Sequence, residues 1–103
     1  SFFKVNKNLD GIVAVNEIYA ITAMKVARKL KIKIPESLQV IGFTDGVLSK
    51  HAVPSLTTVS QHASQMGEKA AELLINNLER EDEEEVYETF TIQTDLIERE
   101  STK

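Results

Sequence analysis

The stretch DGIVAVNEIYAITAMKVARKLKIKIPESLQVIGFTD, residues 10–45, changes its hydrophobic period twice. Ile12–Val15 is a continuous apolar run, entered at Asp10-Gly11 and closed by Asn16. Such a run suits a strand buried on both faces. The period then turns helical. Ala20, Ala23, Met24, Ala27 and Leu30 share one face with Ile21 at its edge, and Thr22, Lys25 and Lys29 lie opposite. Asn16 is well placed to cap this helix, and Pro35 lies in the loop beyond its end. Leu38–Phe43 returns to strand formers, with Gly42 at a position that marks a close backbone approach. Strand, helix and strand in this order make a βαβ unit, whose crossover is right-handed.

Beyond this unit, Gly46 and Pro54 bracket a loop and Leu56–Ser60 forms a third strand. A second amphipathic helix follows. Ala63, Met66, Ala70, Leu73, Leu74 and Asn77 fall on one stripe, with Glu68, Glu72, Asn76 and Glu79 across from it. Gly67 lies beside the stripe, where a missing side chain lets a helix approach a sheet. Glu81–Glu85 is an acidic run, read as a solvated, self-repelling loop. Val86–Ile97 partly alternates polar and apolar residues, which suggests one or two further strands. Phe2, Phe3 and Val5 have no capping residue ahead of them and read as the last turn of a helix whose beginning is missing. Strands alternating with helices predict an α/β fold with a parallel sheet and helices over its faces. Ligands in such sheets bind outside the carboxyl ends of the strands. Asn16 ends the first strand and Thr44-Asp45 end the second, so this corner is the expected site.

The bulk numbers agree with a small globular domain. The 103 residues are 42% hydrophobic and 27% charged, with a formal net charge of −4. That balance argues against a nucleic-acid surface on this segment, which needs a basic face. No cysteine is present, so disulfides, thiolate metal sites and thiol catalysis are excluded. No apolar run approaches the roughly 18 residues of a membrane span.

The corner residues offer hydrogen bonding rather than catalysis. Asn16 is both donor and acceptor, Asp45 accepts when ionised, and Thr44 does either. This set suits a polar, uncharged ligand such as a sugar. Two plainer roles compete with it: Asn16 as a helix cap alone, and Asp45-Gly46 as a turn dipeptide alone. His51 and His62 lack metal-ligand spacing, and neither a nucleophile elbow nor a glycine-rich phosphate loop occurs. The expectation is a binding module with no catalytic residue, metal or cofactor.

The stretch at 10–45, together with PSLTTVSQHASQMGEKAAELLI (54–75) and LIERES (96–101), closely resembles the C-terminal part of LacI-type (lactose-repressor-type) transcriptional regulators. The resemblance implies one lobe of a periplasmic-binding-protein-like domain: a three-layer, doubly wound, mostly parallel sheet, with residues 1–103 as the C-terminal lobe. It implies a cytoplasmic regulator whose small effector, a sugar or sugar-like molecule, binds between two lobes and shifts a population of states. Operator DNA would be contacted only by a headpiece outside this chain. The alternative on the same fold is a lobe of a periplasmic sugar-binding transport receptor. Asn16 matches a family asparagine that contacts effector. The family reads Gly-aromatic-Asp-Asp or Gly-aromatic-Asp-Asn where this chain has Gly42-Phe43-Thr44-Asp45. Threonine cannot accept two charge-assisted bonds as a carboxylate does, so either Asp45 substitutes or the effector is not a simple sugar. The family also forms homodimers through this lobe, which implicates Ile21, Val47, Leu48, His51, Ala52 and Val53. Val47-Leu48 and Ala52-Val53 are indeed apolar in a segment expected to be wet.

Overall fold

The computed structural model describes residues 2–80 and 87–103; the acidic run at 81–85 lies outside the described residues. The elements are α1 (Phe2–Val5), β1 (Gly11–Val13), α2 (Glu17–Lys29), β2 (Gln39–Phe43), α3 (Val47–His51), β3 (Thr57–Ser60), α4 (Ala63–Leu78) and β4 (Asp95–Ile97). They divide into two compact units. One runs up to Ser60 and includes Asp95–Lys103; the other is Gln61–Thr94.

The first unit holds a four-stranded sheet in the order β1-β2-β3-β4. β1, β2 and β3 run parallel, with Ile12 opposite Val40 and Gly42 opposite Thr58. β4 is antiparallel to β3, with Leu96 opposite Val59, so the sheet is mixed. Of the strands expected between 86 and 97, only Asp95–Ile97 is one among the described residues.

The core lies where α2 crosses the sheet. Ala20, Met24 and Ala27 pack with Leu38, Val40 and Leu56, all buried. Small residues let the helix sit low. A Cβ on Gly42 would lie 2.8 Å from Leu56 Cδ2 and 3.4 Å from Ala20 Cβ, so the close approach read from Gly42 is real. Leu30, placed on the same stripe by periodicity, is 52% exposed at the helix's end.

The C-terminal segment locks the amino ends of the strands. The buried Ser101 hydroxyl donates to Val40 O (2.6 Å) and accepts from Thr57 N–H (2.8 Å), joining β2 to β3. Buried polar groups that are fully bonded in this way cost little.

Three expectations are corrected. β1 is not buried on both faces: Val13 is 76% exposed, while Ile12 and Ala14 pack on the core. β1 pairs with β2 alone among the described residues, and Val13 and Val15 are largely exposed. The segment between Gly46 and Pro54 contains α3 rather than loop alone. Gly67 relieves no clash among the described residues, since a Cβ there would meet none of them within 4 Å.

In the second unit, α4 spans the predicted helix but none of its residues is buried. Lys69 Nζ lies 4.0 Å from the centre of the Phe90 ring, a cation–π contact that joins the helix to the segment at 87–94.

Candidate functional site

β1 and β2 are in register with Val13 opposite Ile41, and Ala14 N–H donates to Ile41 O at 2.9 Å. Asn16 and Thr44 each stand three residues past that pair, so both emerge at the carboxyl edge of the sheet. β3 ends at the same edge, and Thr44 N–H donates to Val59 O at 3.0 Å. Ser60, paired with Asp95 of β4, completes the row.

Asn16 is the α2 N-cap. Its backbone is extended and its Oδ1 accepts from Tyr19 N–H at 2.9 Å. Its amide nitrogen has no partner among the described residues, so capping leaves one donor group for a ligand. Thr44 is exposed and has a φ of 74°. A β-branched residue in the left-handed region is strained by about 1–3 kcal/mol and persists only where neighbours hold it. Here its N–H is bonded to Val59 and its carbonyl accepts from Thr58 Oγ1 at 3.2 Å.

Asp45 is directed elsewhere. Its Oδ1 lies 2.8 Å from Arg99 Nη2, with the two side chains 17% and 14% exposed. That oxygen is shielded from solvent, yet among the described residues no donor is aligned on it for a hydrogen bond, so the contact is an ion pair.

A further carboxylate organises the corner. Glu17, in the first turn of α2, accepts through Oε2 from Gly46 N–H (3.0 Å), Ser49 N–H (3.2 Å) and Ser49 Oγ–H (2.7 Å). These bonds satisfy donors at the start of α3, and Ser49 itself is buried. A Cβ at Gly46 would meet the Glu17 carboxylate, so a side chain there would push Glu17 off the bonds it accepts.

Among the six residues singled out for subunit contact, Ile21 and Ala52 are partly buried against the core. Val47, Leu48 and Val53 are exposed, as is His51. His62 precedes α4 in the left-handed region, with no side-chain capping bond. Among the described residues no group of three or more His, Asp or Glu side chains could hold a metal ion. No helix among them is long and apolar enough to cross a membrane.

Sequence reasoning missed Glu17, Arg99 and Ser60. Ser60 was within reach, because it ends a predicted strand. Glu17 acts across 29 and 32 residues of sequence, and Arg99 reaches back from beyond β4, so no local pattern marks either. A groove of about 720 Å³ lined by Leu9, Asp10, Leu30, Ile32 and Leu38 lies at the amino ends of β1 and β2, opposite the corner.

Comparison with known proteins agrees with this geometry. The family described as periplasmic binding protein-like domain matches residues 4–102. The ribose operon repressor of Halalkalibacterium halodurans is 36% identical over 103 residues, which is 100% of this chain and 30% of the repressor. A LacI-type transcription regulator from Bifidobacterium animalis subsp. lactis superposes with a TM-score of 0.90 at 27% identity, covering 99% of this chain and 36% of that one. A periplasmic binding protein/LacI transcriptional regulator from Alkaliphilus metalliredigens, solved with D-xylulofuranose, gives 0.86 at 35% identity, covering 98% and 37%. The chain thus spans about a third of the length of the relatives it matches. With its βαβ core, mixed sheet and polar carboxyl edge, it belongs to the periplasmic binding protein-like domain family, as one lobe of the fold found in LacI-type transcriptional regulators.

Proposed function

We propose that this chain is the effector-sensing and dimerisation lobe of a LacI-type DNA-binding transcriptional regulator. The effector is a sugar or sugar-like small molecule, taken at the corner that Asn16, Thr44 and Asp45 build. The observation that carries this is the open donor of Asn16 beside the exposed Thr44 at the carboxyl edge of two parallel strands. Neutral donors and acceptors of this kind suit sugar hydroxyls. The named relatives support the ligand class: one represses a ribose operon and another was solved with a pentulose.

The partner surface is the apolar patch of Val47, Leu48 and Val53, with His51 beside it and Ile21 and Ala52 behind. A second copy of the chain covers it in a homodimer. Operator DNA is met by a headpiece outside this chain, in keeping with a net charge of −4 here. Such a regulator works in the cytoplasm, where its operator is, and performs no catalysis.

The test is Asn16→Ala in the full-length regulator, titrated with D-ribose and D-xylulose by calorimetry and then assayed for induction. The variant is expected to bind roughly tenfold more weakly, the loss of one or two ligand hydrogen bonds, while remaining folded. Unchanged binding and induction would leave Asn16 as a helix cap and remove the corner as the site.

A further inference from the structure

We infer that Asp45 shapes the effector corner through Arg99 and does not itself touch the effector. The inference rests on the corner being the effector site, and it divides that site's labour. Arg99 Nη1 donates to Leu56 O at 2.8 Å, and its backbone N–H donates to Thr57 Oγ1 at 2.8 Å. The guanidinium is therefore fixed at the amino end of β3. Leu56 is four residues ahead of Ser60, which ends that strand, so it lies roughly 13 Å back from the carboxyl edge. The Asp45 carboxylate that meets this guanidinium at 2.8 Å is drawn back beneath the corner, not out over it.

Both members of the pair are mostly removed from water, so neither charge is easily left alone. The contact acts as a tether. It sets the backbone where residues 44–46 leave β2, next to Thr44 with its φ of 74°. Thr44 and Asn16 then present an uncharged face, a hydroxyl and an amide, in place of the carboxylate that a sugar diol would grip most strongly. Arg99 thereby becomes a positioning residue of the effector site, although it is attached to the far end of the sheet.

The experiment is a double-mutant cycle in the full-length regulator, using Asp45→Asn, Arg99→Gln and the pair together. D-ribose and D-xylulose are titrated by calorimetry, and each protein's urea midpoint is recorded. A tether predicts that each single substitution weakens sugar binding by roughly tenfold and that the double variant is no weaker than either single. Arg99→Lys keeps the positive charge that pairs with Asp45, on a single nitrogen. It is expected to restore most of the affinity, which a merely structural loss would not do, and it keeps the test available if Arg99→Gln fails to fold. If Asp45→Asn lowers affinity by the same factor in both Arg99 backgrounds, Asp45 touches the effector and the inference falls while the site stands. If Asp45→Asn leaves affinity unchanged, the inference also falls. If the unmodified regulator binds neither sugar, the carbohydrate reading of the corner fails, and the inference with it.

Discussion

Glu17 shows how one side chain can fix a corner. A single oxygen accepts from two backbone N–H groups and one hydroxyl, and two of those donors belong to the buried Ser49. Removing the acceptor leaves those donors without partners. Glu17→Ala is therefore expected to lower stability by about 1–3 kcal/mol, read as a fall in urea midpoint at constant slope. Glu17→Gln retains an acceptor oxygen and should lose less than half of that. Thr44 invites the opposite result. Its left-handed backbone is comfortable for glycine, so Thr44→Gly should raise stability by about 1 kcal/mol while removing the hydroxyl proposed to face the effector. A fall in midpoint instead would mean that the threonine hydroxyl holds the corner. Asn16 was legible in the sequence because a cap is a local requirement. The roles of Glu17 and Arg99 were not, because each is defined by a partner that only the fold brings near.

The glycines of β2 and α4 make a matched comparison between elements. In β2, a methyl on Gly42 would press on Leu56 and on Ala20 of α2, neither of which has room to move within the core. Gly42→Ala should cost about 1–3 kcal/mol by overpacking. In α4, a methyl on Gly67 meets none of the described residues within 4 Å. Gly67→Ala should add up to about 1 kcal/mol through helix propensity alone. Thermal midpoints of the two variants should thus move in opposite directions, and a loss at Gly67 would show that a partner packs on that face. The same contrast explains what the sequence could tell. α2 was readable from Asn16 to its last turn because its apolar stripe coincides with the face buried on the sheet. α3 was not, because its five residues carry no period and depend on Glu17 for their first turn. β1 misled because a continuous apolar run looks the same whether one face or both are covered, and Val13 is largely exposed.

For the molecule as a whole, the sheet supplies the chemistry and its edge sets the limit on affinity. Sites for small ligands bury most of the ligand's surface. The corner here is open, with Thr44 exposed and Asn16 only partly covered, and the 720 Å³ groove lies at the other end of the strands. A sugar resting on this edge gains a few hydrogen bonds but stays in contact with water, where each bond exchanges for one to solvent and nets about 0.5–1.5 kcal/mol. The relatives are about three times as long, and in the proposed regulator the remainder of the binding surface comes from outside residues 1–103. The 103-residue chain alone should therefore give no saturable heat with D-ribose or D-xylulose at about 1 mM, whereas the full-length regulator binds at least about a hundredfold more tightly, a difference of about 2.7 kcal/mol. Micromolar binding by the isolated chain would show that this edge is a complete site by itself. The closing of a second surface over it would then have to serve signalling to DNA, because affinity would no longer require it.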